Sequence, residues 1–185
     1  MKKEIESILM DEINFKRASG VDGQVPDKPG LYCIRINYIL NLPSTFKDVL
    51  IERKHNIIYI GIAAASLKKR FLNQELRAKG HGTFFRSLGA VLGYRPPEGS
   101  LCGKTNKKNY KFSKDDESGI IKWINANLII NWYECDDDIE KLEKELIEKH
   151  KPLLNLKNNP VAMDELRKLR GECVRIAKYN NSVLN

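Results

Sequence analysis

Glu143 is the residue whose placement argues hardest for chemistry. Ile139, Leu142, Leu146 and Ile147 surround it at helical spacing, which puts its carboxylate inside the apolar arc of a helix. Glu140, Lys144, Glu145 and Glu148 project elsewhere. A carboxylate aimed at a core is costly unless it is paired or binds a metal. Two readings therefore stay open for it, a structural ion pair and a divalent-metal ligand. Tyr32 and Tyr59 each sit in an apolar, β-branched stretch beside a glycine, in Pro29-Gly30-Leu31-Tyr32 and Ile58-Tyr59-Ile60-Gly61. Strand tyrosines usually pack their rings and find a partner for the hydroxyl. Arg70 ends the basic run Leu67-Lys68-Lys69-Arg70, with Gln74 one turn further on. It reads as a solvated charge on a flank free to face a site. His81 and the Arg86-Ser87 pair follow nearby in the chain.

Gly99-Ser100-Leu101-Cys102-Gly103-Lys104-Thr105 has the look of a nucleotide phosphate loop. That loop needs glycine where Glu98 stands, and it follows a strand and opens a helix. Neither condition is met, so no nucleotide cofactor is expected.

The elements that must position these residues can be read in order. Residues 3–17 predict an amphipathic helix, with Ile5, Ile8, Leu9 and Ile13 at helical spacing. Gly30 to Ile36 reads as a strand with Tyr32, Ile34 and Ile36 on one face and Leu31, Cys33 and Arg35 on the other. Phe46 to Arg53 predicts a short helix that Ser44 or Thr45 could cap. Asn56 to Ala63 is apolar enough for a central strand. Ser66 then caps a helix running to about Arg77, with Arg70 and Gln74 on one flank. Thr83 to Leu92 is helical, and 93–118, rich in Pro, Gly, Lys and Asn, reads as an irregular surface loop. A short helix over 119–125 precedes a third strand, Leu128 to Tyr133. Asp136, Asp137 and Asp138 suit the start of a helix that ends by His150, before Pro152. A last amphipathic helix spans about Ala162 to Lys178.

Length and composition set the frame. A chain of 185 residues holds one well-buried core. The start, Met1-Lys2-Lys3-Glu4-Ile5-Glu6, lacks the apolar run of a signal peptide, and no stretch is long and apolar enough to span a membrane. A cytoplasmic protein without a membrane partner is expected. Net charge is +8, from 32 Lys and Arg against 24 Asp and Glu, which favours an anionic partner such as nucleic acid. Cys33, Cys102, Cys135 and Cys173 are scattered, with no C-x-x-C pair, so no zinc knuckle is encoded.

Taken together and in this order, these stretches resemble the catalytic domain of the GIY-YIG nuclease superfamily. Gly30-Leu31-Tyr32 matches the first name-giving tripeptide, with leucine for isoleucine, and Tyr59-Ile60-Gly61 matches the second unchanged. Arg70 matches the arginine of the following helix, Glu143 the metal-binding glutamate, and Asn155 the asparagine near the domain's end. The resemblance covers roughly residues 28–158. It implies an α+β fold with a small, mainly antiparallel three-stranded sheet flanked by helices. Around that domain, 1–27 form an N-terminal helix and lead-in, and 159–185 a C-terminal helix packed on it.

The resemblance also implies a metal-dependent DNA endonuclease. Glu143 would hold Mg²⁺ or Mn²⁺, Arg70 would neutralise the phosphoryl oxygens, and Tyr32 or Tyr59 would take a proton from water. Lys68, Lys69, Arg77, Lys79 and Arg86 would touch DNA phosphates. The lysines of the 93–118 loop, Lys104, Lys107, Lys108 and Lys111, form a further candidate DNA contact. Three departures are present. The segment between the tripeptides is long, Gln74 stands where the family often has tyrosine or histidine, and Ile62 stands where it sometimes has lysine. Gln74 cannot carry a proton, so that duty would fall to Tyr32, Tyr59 or the accessory candidate His81. The alternative is the same fold kept as a catalytically weak nucleic-acid-binding or interaction module.

Overall fold

The computed structural model describes residues 2–136 and 138–179. Asp137 of the acidic run and the tail beyond 179 lie outside the described residues. The elements in chain order are α1 (Lys2–Met10), β1 (Lys16–Arg17), β2 (Gly30–Ile36), α2 (Ser44–Arg53) and β3 (Ile57–Ala63). A π-helix (Lys68–Leu76), α3 (Thr83–Val91), α4 (Lys114–Asn127), β4 (Leu128–Glu134), α5 (Ile139–His150) and α6 (Asp164–Lys178) follow.

The sheet is antiparallel throughout and has four strands rather than three, in the order β1-β4-β2-β3. The additional strand comes from the stretch expected to be the end of the first helix. Helix α1 stops at Met10, and the side chain of Asp11 caps a single 3₁₀ turn by accepting from the Ile13 N–H at 3.1 Å. Ile13, counted above as part of an apolar stripe, is 87 % exposed. Beyond it the chain extends, and Lys16 and Arg17 pair with Ile130 and Ile129.

Strand β3 is not central; it lies at the sheet's edge. Its two apolar faces pack into the two cores on either side of the sheet, and its open edge is covered. The N–H groups of Leu153 and Leu154 donate to the carbonyls of Ile57 and Ile58 at 3.2 and 2.8 Å. The carboxamide of Asn155 then bonds both the N–H and the carbonyl of Ile60, at 3.0 and 2.8 Å. An exposed strand edge is a template for unwanted pairing, and this segment closes it.

The faces of β2 alternate as its sequence predicts. Tyr32, Ile34 and Ile36 join the larger core with α2, the π-helix, α3, α4 and α6, while Leu31 and Cys33 join a smaller core with Ile5 and Leu9 of α1 and the apolar arc of α5. Two helix boundaries differ from expectation. Helix α2 begins at Ser44, so neither Ser44 nor Thr45 caps it. Helix α4 begins at Lys114 rather than 119, because the Ser113 hydroxyl accepts from the Asp116 N–H at 3.1 Å and starts it inside the polar stretch. No disulfide joins the cysteines. Among the described residues no helix is long and apolar enough to cross a membrane.

Candidate active site

The segment after β3 fixes the arginine. Ser66 receives the Lys69 N–H at 3.0 Å and donates its own hydroxyl to Asp27, and the chain then winds as a π-helix over nine residues. In that winding each bond closes over five residues rather than four, so position 75 falls under position 70. Glu75 is fully buried there. One of its oxygens meets Arg70 Nη2 at 2.9 Å and accepts the Thr83 N–H at 3.1 Å; the other accepts the Phe85 N–H at 3.2 Å. Glu75 therefore holds Arg70 and the amide end of α3 together. Burial pushes its carboxyl up, while Arg70 and the amides of Phe85, Thr83 and Phe84 pull it back toward the ionised form. Gly82 is required at the start of α3, because a Cβ there would stand 2.5 Å from a Glu75 oxygen and collide with the Gln74 carbonyl.

Arg70 completes its contacts with Gln74 Oε1 at 3.0 Å and Thr83 Oγ1 at 3.4 Å. Burial works against its charge, but Glu75, followed by Tyr32 and Tyr59, more than offsets this and raises its pKa. Gln74 thus steadies the guanidinium.

The two tyrosines come together across β2 and β3. Tyr32 stacks on Phe71 at 4.3 Å between ring centroids and lies 6.2 Å from the Tyr59 ring. Gly61 makes the first of these placements possible: a Cβ there would sit 2.5 Å from the Tyr32 hydroxyl. Burial, reinforced by the Glu75 charge, pushes both phenols above their ordinary value, and Arg70 opposes it in each case.

These side chains border a cavity of about 260 Å³ lined by Tyr59, Glu143 and Asn155 of the predicted set, with Thr83, Ser87, Lys157 and Arg170. Glu143 is half-buried and is the one carboxylate in that lining. Burial raises its pKa; Lys157, Arg70 and the Ile62 N–H work in the opposite direction. Tyr32 and Arg70 stand just behind the lining. Arg70 reaches it through Thr83, and Tyr32 through Tyr59.

The remaining candidates lie elsewhere. His81 is exposed and borders a different cavity. Arg77 is tied to Asp22 at 3.0 Å and to the Ala18 carbonyl at 2.7 Å. Arg86 is 7 % exposed. Lys68, Lys69 and Lys79 are exposed.

Glu75, Thr83, Lys157 and Arg170 of the site were missed in the sequence. Glu75 was hidden because α-helical spacing puts positions five apart on different faces. Arg170 comes from α6 and gave no local signal. Its Nη1 donates to the Ser87 hydroxyl at 2.7 Å and the Thr83 carbonyl at 3.2 Å.

A family described as the GIY-YIG catalytic domain matches residues 30–172, a span that takes in both tripeptides, Glu143 and Arg170. No curated protein and no solved structure matches the chain.

Proposed function

The chain belongs to the GIY-YIG catalytic domain family, nucleases in general, and on that premise we propose that it is a metal-dependent endonuclease hydrolysing DNA phosphodiester bonds. The observation that carries this reading is the convergence of Tyr59, Glu143 and Asn155 on one cavity, with Arg70 anchored behind it and Arg170 beside it.

The donor set fits a hard divalent cation. Mg²⁺ is commonly held by one or two carboxylates, with water and substrate phosphate filling the other positions. Glu143 offers one carboxylate, and among the described residues no group of three or more His, Cys, Asp and Glu could cage an ion. When bound, Mg²⁺ or Mn²⁺ supplies positive charge to the phosphate and to the departing oxygen.

The chain's own groups account for the rest. Arg70 is pre-aimed by Glu75 and Gln74, and its planar fork suits the phosphoryl oxygens as their charge grows. Arg170 adds a second guanidinium from α6, held on Thr83 and Ser87. Tyr59 is held as the neutral phenol in the unliganded chain, so at rest it orients water by accepting a hydrogen bond. Proton transfer to it requires nearby positive charge favouring the phenolate. Asn155 positions the floor of the cavity through Ile60. The exposed Lys68, Lys69 and Lys79 supply backbone phosphate contacts.

Plasmid nicking by the purified chain with Mg²⁺ or Mn²⁺ tests the reading, beside EDTA and Glu143→Gln arms. Cleavage is expected from the wild type alone, with a loss of about hundredfold or more in the variant. Cleavage that survives both EDTA and the substitution would overturn it. DNA binding without cleavage would favour the binding-module alternative.

A further inference from the structure

A second, larger cavity of about 520 Å³ lies between His81 and the 100–111 segment, and its lining shares no residue with the candidate active site. Its size falls in the range of small-molecule sites, roughly 300–1,000 Å³. His81, Lys104 and Lys111 face it with Ser100, Leu101 and Asn109, and no carboxylate is among its lining residues. Neither lysine makes an ion pair among the described residues. The Ser100 hydroxyl oxygen is buried without a hydrogen-bond partner.

The walls are fixed rather than loose. The Leu101 N–H donates to the Ala177 carbonyl at 2.8 Å, tying the loop to α6. Asn106 Oδ1 accepts the N–H groups of Lys108 and Asn109 at 2.9 and 3.0 Å. Tyr110 is buried and has the guanidinium groups of Arg86 and Arg170 each 5.9 Å from its ring centroid.

Arg86, whose charge acts on His81 of the lining, has no direct ion pair among the described residues. It is 7 % exposed, and its Nε and Nη1 have no hydrogen-bond partner. Burial, and next Arg170, brings its pKa down to about 10. His81 is likewise depressed by burial, then by Lys111 and Arg86. Burial alone disfavours charge of either sign, but the contributions of Lys111, Arg86 and Arg170 to these shifts report a positive potential, which favours an anion.

We propose that this cavity is a phosphate-binding site for one nucleotide unit, with Lys104 and Lys111 as its charged ligands and the Ser100 hydroxyl as a neutral donor. It differs from a nucleotide phosphate loop in that side chains from separate segments, rather than successive backbone amides, supply the donors. The assignment rests on the cavity's charge and shape, not on cleavage. The phosphate can belong to a free nucleotide or to a nucleic-acid chain, and the probes below separate the two.

Calorimetric titration of the full chain without divalent metal tests this, using deoxyadenosine monophosphate and a single-stranded DNA 12-mer as probes. Two double variants carry equal charge loss from the same loop: Lys104→Gln/Lys111→Gln in the lining, and Lys107→Gln/Lys108→Gln outside it. All four lysines are exposed, so folding is preserved, and circular dichroism checks it. The lining pair should weaken binding by about tenfold or more, and the outer pair by less than about threefold. If the mononucleotide shows this contrast, the site takes free nucleotides. If only the 12-mer shows it, the site takes a phosphate within a chain. Equal losses from both pairs would reduce the cavity to general surface charge and overturn the proposal. Absence of binding to either probe, or binding unchanged in the lining pair but abolished by Arg70→Ala, would also overturn it.

Discussion

Glu75 is asked to accept from two backbone amides and from a guanidinium at once, a combination only a carboxylate can satisfy. In Glu75→Gln the amide group would face either Arg70 or the Phe85 N–H, donor against donor. Arg70 would lose its ion-pair partner and swing from its present direction. A misplacement on the scale of an ångström can cost about a hundredfold in rate. We therefore expect kcat for cleavage to fall by about that factor with KM changed much less, measured by single-turnover assays beside denaturant melts. An unchanged kcat in a folded variant would remove Glu75 from the positioning of Arg70. Residues of this kind were the hardest to read from the sequence. Glu143 declared itself through its place in an apolar arc, and the structure buries that arc as expected. Arg70 was legible as part of a basic run. Glu75 was not, because the α-helical repeat placed only Gln74 beside Arg70, and it is the π winding that brings Glu75 there as well.

At the level of elements, strands of ordinary length were legible to within a residue at each end, but the fourth strand and the order of the sheet were not. Strands β2 and β4 follow their composition and alternation. The two-residue strand β1 is too short to carry a period, and the position of β3 at the edge depends on a cap nearly a hundred residues downstream in the chain. That cap makes a stability prediction. Asn155→Ala leaves the N–H and carbonyl of Ile60 without their buried partners. Each unsatisfied group costs on the order of 1–3 kcal/mol, so a loss of about 3 kcal/mol in urea unfolding is expected. A loss below about 0.5 kcal/mol would show that water replaces the carboxamide without penalty. Asn155→Asp is the companion measurement. It keeps an acceptor for the Ile60 N–H but sets a carboxylate against the Ile60 carbonyl, and should fall at least as far.

On the scale of the whole molecule, helices α1 and α5 are stapled across one sheet face. Glu6 Oε1 meets Lys149 Nζ at 2.7 Å and His150 Nε2 at 2.6 Å. Burial raises the Glu6 carboxyl, but the hydrogen bonds and charges of Lys149 and His150 outweigh it and hold the pKa below its ordinary value. A group depressed in the folded state stabilises above its unfolded value, and the stabilisation disappears as pH falls through the folded one. Wild type and Glu6→Gln should therefore differ in urea midpoint at about pH 6, and the difference should shrink as pH falls below the ordinary Glu value of about 4.3. A constant difference across that range would mean the staple acts through packing alone.

The late position of the seal on β3 has a consequence for biosynthesis. As the chain emerges, β2 and β3 can pair early, yet the open flank of β3 waits until Leu153, Leu154 and Asn155 have been made. Throughout that interval the nascent chain presents a bare, apolar ribbon edge, the surface through which neighbouring chains on one message would cross-pair. That window of exposure closes only once Asn155 has been added.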